Sequence, residues 1–110
     1  MVRGTVTPPR REGVRLQVAF TPLAADDIQQ AFEWYDAQRS GLGADFVVAV
    51  DRILALVAEM PELGPVVHRD LRRILLVRFP YALYYRVSEI IEVRACLHLR
   101  RAPGVWQRRT

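Results

Sequence analysis

The sequence predicts a small α+β domain in which an antiparallel helical hairpin packs on an antiparallel sheet. Two amphipathic segments, separated by the Gly-Leu-Gly at residues 41–43, fill the first half of the chain after residue 15. Three shorter segments with alternating apolar residues fill the second half. Helical periodicity followed by strand periodicity is typical of the α+β class. No internal repeat or second core is visible, so we expect one domain over residues 16–110.

Residues 1–15 are rich in proline, arginine and glycine and have no apolar periodicity, which predicts a disordered basic leader. They lack the apolar stretch of a secretory signal. No apolar run in the chain is long enough to span a bilayer. With one cysteine, Cys96, an internal disulfide is not possible. We therefore expect a cytoplasmic protein without membrane contact.

The first elements carry clear boundary signals. The alternation of Leu16–Phe20 predicts a short strand. Thr21 is a suitable N-cap for the helix that follows, with Pro22 at its first position. Asp26 and Asp27 lie near the positive end of the helix dipole. Apolar residues recur at helical spacing and are expected to face the core: Ala24, Ile28, Phe32 (or Ala31) and Tyr35.

A second helix is predicted from Ala44 to Met60, where Pro61 ends it. The short Gly-Leu-Gly connection makes the two helices an antiparallel hairpin. Residues 61–70 contain two further turn residues, Gly64 and Pro65, and are predicted to form a loop. The apolar stripe of the second helix comprises Phe46, Val47, Val50, Ile53, Leu54 and Val57.

Three strands are predicted over Leu71–Val77, Tyr81–Val87 and Ile91–Leu97. The register of the last two follows from their apolar faces, because a slip of one residue would expose a whole set. Pairing Val87 with Ile91 places two sets on the core side: Tyr81, Leu83, Tyr85 and Val87 on one strand, with Ile91, Val93, Ala95 and Leu97 on the next. On the other face it places Arg86 beside Glu92, Tyr84 beside Arg94, and Ala82 beside Cys96.

Charge is divided unevenly along the chain. All 16 basic residues are arginines. Residues 1–15 carry a net charge of +3, residues 16–66 carry −6, and residues 67–110 carry +7. An acidic half joined to a basic half indicates one polar surface for water and another for an anionic partner.

Other kinds of site find little support in the sequence. Two histidines, His68 and His98, and one cysteine are scattered and do not make a metal site. There is no phosphate-binding loop and no dinucleotide glycine pattern, so no cofactor is expected. His98 is a candidate for acid–base chemistry because an unperturbed imidazole titrates near ~6.5.

Several segments, in order and at matching spacing, resemble toxins of the RelE/ParE superfamily from bacterial type II toxin–antitoxin systems. The resemblance covers almost the whole chain after the leader and is strongest to the ParE-like branch. It implies a small α+β domain and an antitoxin protein encoded by an adjacent gene. The segments are AFTPLAADDI, WYDAQRSGLGADF, MPELGP, LRRILLVRFPYALYYRV and LHLRRAPGVW.

The superfamily contains two chemistries. One branch cuts messenger RNA on the ribosome, using basic side chains on the sheet and a terminal acid or base. Arg73 and Arg100 match basic residues of these nucleases, but Leu75 and Ala82 stand where the resemblance leads us to expect two more basic residues. The terminal tyrosine has no counterpart, because the tail offers only Trp106.

The resemblance therefore favours the second chemistry, a non-enzymatic poison of DNA gyrase. For such a toxin the predicted target-binding residues are Arg94, Arg100, Arg101 and Arg108. Two alternatives stay open. One is an endoribonuclease acting on the ribosome and mRNA, with Arg73, Arg100 and His98 as its catalytic groups. The other is a degenerate toxin that only binds its antitoxin.

Overall fold

The computed structural model of the protein describes residues 15–100 and 104–109, so the predicted leader, apart from Arg15, lies outside the described residues. Two long helices precede the main part of a mixed sheet, and a single 3-10 turn, Pro61–Leu63, connects the two parts. The helices are α1 (Pro22–Gln38), α2 (Leu42–Glu59) and the short α3 (Gly104–Gln107). The strands are β1 (Val18–Phe20), β2 (Val66–His68), β3 (Leu71–Leu75), β4 (Tyr81–Val87) and β5 (Ile91–His98).

The strands form one five-stranded sheet in the order β1-β5-β4-β3-β2. Strand β1 runs parallel to β5, and the other neighbours are antiparallel. The predicted α+β class, the helical hairpin and the three-stranded meander are confirmed. The sheet has one more strand than predicted, because Val66–His68 pairs with the start of β3 instead of remaining a loop. Its two β-branched valines favour extended backbone.

The start of α1 matches the prediction. The Thr21 hydroxyl accepts a hydrogen bond from the backbone N–H of Ala24 at 3.1 Å, and Pro22 opens the helix. This cap satisfies one of the free amides of the first turn. Leu16 lies outside β1, because its N–H donates to the carbonyl of Ala58 at the end of α2. The N-terminal strand is therefore shorter than predicted.

The connection between the helices is tighter than predicted, and α2 starts at Leu42 instead of Ala44. Arg39 leaves the helical conformation after α1, and Gly41 precedes α2 with φ at 91°, a region that glycine enters without strain. Asp36 receives hydrogen bonds from the N–H groups of both Gly41 and Gly43. A Cβ at Gly43 would lie 2.6 Å from the Phe32 carbonyl oxygen, so this glycine allows the two helices to approach.

The register predicted for the β4–β5 hairpin is correct near its turn and wrong beyond it. The predicted pairs Val87 with Ile91 and Arg86 with Glu92 are present. A bulge at Arg94 then adds one residue to β5. Tyr84 therefore lies opposite Ala95, and not Arg94.

The bulge also changes which residues of β5 face the helices. Beyond it, Ala82 pairs with Leu97 instead of Cys96. Cys96 belongs to the core between the sheet and the helices, whereas Ala95 and Leu97 belong to a second apolar cluster on the opposite face. The prediction that Ala95 and Leu97 share the core face of Ile91 and Val93 is therefore wrong.

Each face of the sheet is covered by a different part of the chain. The helical hairpin covers the larger core, in which Phe46, Val57 and Leu83 are fully buried. The C-terminal segment, by which we mean residues 104–109, covers the second face through Val105 and Trp106. These two side chains pack on a smaller apolar cluster that comprises Leu71, Ala82, Tyr84, Ala95 and Leu97. In the part of the chain that the structure describes, no helix is both long and apolar enough to cross a membrane.

Candidate functional site on the two faces of the sheet

His98 stands at the end of β5, on the face that the helices cover. Its side chain shares a small cavity with Trp34 of α1 and with Tyr81, the residue opposite it on β4. The Tyr81 ring meets the imidazole edge-on, with centroids 5.2 Å apart. The backbone N–H of Arg100 donates to the Nδ1 atom of His98 at 3.1 Å.

Arg73 lies on the other face. It pairs with Tyr84 across the β3–β4 ladder, and directly opposite residues of a ladder point to the same side of the sheet. Tyr84 belongs to the second apolar cluster. Burial raises the pKa of the Tyr84 hydroxyl, and the nearby Arg73 guanidinium opposes that rise. The sheet thus separates Arg73 from His98, so these two candidate catalytic groups do not meet.

The predicted target-binding arginines differ in accessibility. Arg100 and Arg108 are exposed. Arg101 lies outside the described residues. Arg94 is mostly buried, with its side chain 20% exposed, and its guanidinium donates to the Glu92 carboxylate and to the backbone carbonyl of Arg109. Arg94 therefore holds the C-terminal segment in place.

An ion pair that the sequence did not predict fixes the same segment. The Arg109 guanidinium binds both carboxylate oxygens of Asp27 on α1, and one of those oxygens also accepts the backbone N–H of Cys96 at 2.9 Å. Asp27 is the only charged residue that is buried among the described residues. A buried carboxylate requires such partners. The sequence does contain one signal for the burial of Asp27. Its helical spacing from Ala24 and Ala31 places the three residues on the same buried face of α1.

Aromatic contacts hold the C-terminal segment against the second face. The Trp106 ring stacks on Tyr84 with centroids 5.1 Å apart and an angle of 14° between the planes. His68 of β2 meets the Trp106 ring edge-on at 6.0 Å. The tryptophan noted in place of a terminal tyrosine is therefore part of the cover over the sheet.

The position that would carry a basic group in a nuclease of the superfamily is apolar and buried. Ala82 is fully buried, between Leu75 on β3 and Leu97 on β5. A longer, charged side chain at this position would enter the second apolar cluster. Ala82 is thus an apolar residue in an apolar environment.

No group of three or more His, Cys, Asp or Glu side chains within residues 15–100 and 104–109 is arranged to hold a metal ion. Cys96 is buried, and burial together with the nearby Asp27 carboxylate raises the pKa of its thiol to about 12. A thiol with such a pKa stays protonated near neutral pH and is a poor nucleophile or metal ligand.

A helical hairpin on one face of a five-stranded mixed sheet, with a C-terminal segment on the other face, defines this protein as a small two-faced α+β domain. The sequence model of the family described as "ParE toxin of type II toxin-antitoxin system, parDE" matches residues 18–103. The chain therefore belongs to the ParE toxin family and is the toxin component of a type II toxin–antitoxin system.

A solved structure supports the fold. A chain described as "Chromosomal ParDE TA system from P. aeruginosa" matches with a TM-score of 0.57 and 18% sequence identity. The match covers 78% of this chain and 98% of that chain. At this level of identity the similarity concerns the fold. A comparison with curated protein sequences finds no match to this chain.

Proposed function

We propose that this toxin inhibits growth by binding and poisoning DNA gyrase, without an enzymatic step of its own. We further propose that a small antitoxin encoded by the adjacent gene neutralises it. Membership of the ParE toxin family supports the toxin role. The choice of gyrase over mRNA depends on the arrangement of the candidate site.

One observation carries that choice: Arg73 and His98 lie on opposite faces of the sheet. A general acid or base must lie within hydrogen-bond reach of the group it serves, and charge stabilisation must act at the same reacting atoms. Groups separated by a sheet cannot act together on one phosphate. The apolar surroundings of Ala82 also support a binding function.

The proposed contact surface consists of arginines at the end of β5 and in the C-terminal segment. Arg100 and Arg108 are exposed, and we add Arg101 by sequence. Arg94 is the least accessible of the described members, so we assign it the smaller share of the contact. The planar guanidinium pairs with carboxylates or phosphates in a fixed geometry, which suits a rigid sheet as its support.

Gyrase assays with purified toxin test the proposal. The parent protein should inhibit supercoiling and trap cleaved plasmid, while programmed ribosomes keep their message intact. Replacing Arg100 and Arg101 together by alanine should abolish both effects. A matched control replaces Arg52 and Arg69, two exposed arginines elsewhere on the protein, and should retain them.

The nuclease alternative makes the opposite prediction. If the parent protein cleaves mRNA in the ribosomal A site and His98→Ala alone eliminates toxicity, acid–base catalysis is at work and the gyrase proposal is wrong.

Antitoxin binding is tested separately. The basic half of the chain favours a partner with an acidic, partly disordered segment that folds on the toxin, because such a segment can wrap a large surface. Co-expression with each small adjacent gene, followed by pull-down in moderate salt, should recover a stable complex. Recovery of the complex from a protein that is not toxic would favour the degenerate alternative, in which antitoxin binding alone is retained.

A further inference from the structure

A small open cavity lies between α1 and the ends of β4 and β5. It has a volume of about 190 Å³, and its lining comprises Asp27, Gln30, Ala31, Trp34, Tyr81, Cys96 and His98. The four α1 residues follow one another at helical spacing and so share one face of the helix. Sites for drug-sized ligands usually measure ~300–1,000 Å³. This cavity therefore suits a smaller group, such as one planar ring.

Aromatic side chains form its walls. Trp34 is 58% exposed, unusually open for the largest apolar side chain. The Tyr35 ring meets Trp34 edge-on, with centroids 5.0 Å apart. On the sheet side the rings of Tyr81 and His98 stand at 75° to each other. Such rings are the surfaces on which unpaired bases stack in nucleic-acid-binding proteins.

The polar groups of the lining have a defined hydrogen-bonding character. Because Nδ1 of His98 accepts the Arg100 N–H, the proton of the neutral imidazole lies on Nε2, which is then a donor. The Gln30 amide offers both a donor and an acceptor. The Asp27 carboxylate is bound by Arg109 and by the Cys96 N–H, so its charge is compensated.

We propose that this cavity, which we call the Trp34–His98 pocket, binds the base of an unpaired nucleotide. A base presents flat faces to the aromatic walls and hydrogen-bonding edges to His98 and Gln30. A phenyl ring has no hydrogen-bonding edge to offer to either polar group. The exposed Arg100, two residues after His98, is the group we assign to the nucleotide phosphate. This inference goes beyond gyrase binding and does not depend on it.

Titrations followed by the two tryptophan indole N–H resonances test the pocket, because Trp106 on the opposite face is an internal control. Trp34→Phe assigns the signals. The probes are deoxyadenosine and thymidine 5′-monophosphates, their nucleosides, inorganic phosphate and a short single-stranded oligodeoxynucleotide. We expect saturable shifts at Trp34 alone, and tighter binding of nucleotides than of nucleosides. Comparing the monophosphates with the oligodeoxynucleotide shows whether the bound base belongs to a free nucleotide or to a single strand.

Substitutions test the assigned roles. Arg100→Ala should weaken nucleotide binding by about tenfold and leave nucleoside binding unchanged, whereas Arg52→Ala, a control at an exposed arginine outside the proposed contact surface, should change neither. His98→Gln keeps an N–H donor and should retain binding that His98→Leu loses. The proposal is overturned if no nucleotide or oligonucleotide shifts Trp34, or if phosphate alone reproduces the shift. Binding of N-acetylphenylalanine amide as tightly as a nucleotide would also overturn it, and would indicate a protein side chain as the occupant.

Discussion

Asp27 on α1 and Arg109 near the C-terminus form an ion pair that joins positions 82 residues apart in the sequence. Their side chains are 7% and 16% exposed. The pair fixes the segment that covers the second face of the sheet, and the same carboxylate accepts the N–H of Cys96 in β5. One carboxylate thus ties together a helix, a strand and the C-terminal segment.

We expect Asp27→Asn to lower the free energy of unfolding by about 2–3 kcal/mol, because it leaves the guanidinium of Arg109 without its charge partner. Removing one member of a fully buried pair typically costs ~3–5 kcal/mol, and the partial exposure of Arg109 lowers that figure. Urea denaturation measures the loss. Hydrogen exchange should show faster exchange of the C-terminal amides.

The control for this pair is the neighbouring residue. Asp26 is exposed, so Asp26→Asn makes the same change of charge one position away and should alter stability by no more than ~0.5 kcal/mol. A double-mutant cycle with Arg109→Gln isolates the pairwise term. Equal losses for the two aspartate variants would show that helix dipole effects, and not the ion pair, explain the result.

The sequence predicted the elements well where local chemistry determines them. Thr21 and Pro22 fix the start of α1 through the first-turn amides, and the turn pairing of Val87 with Ile91 is correct. The bulge at Arg94 was not predicted, because the consecutive apolar residues Ala95, Cys96 and Leu97 fit either register and no glycine marks the extra residue. The error reversed the faces assigned to Ala95 and Leu97.

The target-binding residues stay a prediction. They were chosen as arginines near the strand ends and in the tail, and of these Arg100 and Arg108 are exposed, whereas the role of Arg94 in holding the C-terminal segment depends on the bulge. The partnership of Asp27 with Arg109 is a contact between distant parts of the chain, which periodicity cannot reveal. The separation of Arg73 from His98 likewise follows from strand pairing and not from spacing.

Tyr85 supplies a second stability test. Its buried hydroxyl donates to the Pro61 carbonyl and accepts the Gly64 N–H, each at 2.9 Å. Tyr85→Phe leaves both backbone groups without this partner, and we expect a loss of about 1–3 kcal/mol in the free energy of unfolding. Tyr84→Phe is the control, because the Tyr84 hydroxyl makes no hydrogen bond to any residue within the described ranges. A loss at Tyr84 that matched the loss at Tyr85 would contradict this account.

The leader remains a prediction that truncation can test. Deleting residues 1–14 keeps the ion pair of Arg15 with Glu59, whose atoms are 3.0 Å apart, and the contact of Leu16 with Ala58. The deleted residues have no apolar periodicity, so thermal stability should be nearly unchanged. A loss above roughly 2 kcal/mol, well outside the range for exposed residues, would show that the leader packs on the domain.

Because the thiol of Cys96 is buried, we expect the free energy of unfolding to fall at alkaline pH. Burial, with Asp27 adding to it, raises the pKa of the folded-state thiol from 9.0 to about 12. Between these values the unfolded chain releases the thiol proton and the folded protein keeps it. Unfolding is therefore favoured as pH rises above 9, by about 1 kcal/mol per pH unit. Below pH 9 both states hold the proton, and the thiol makes no difference to the pH dependence.

Comparing the parent protein with Cys96→Ala isolates this contribution, because every other ionisable side chain is present in both proteins. Urea denaturation at intervals between pH 8 and pH 11 should show stability falling more steeply in the parent protein above pH 9. Alkylation provides a second measurement: the native thiol should react with iodoacetamide much more slowly than the thiol of the urea-unfolded chain, since the thiolate is the reactive species. Parallel pH profiles for the two proteins, with rapid native alkylation, would mean that Cys96 is accessible and that its pKa is not raised.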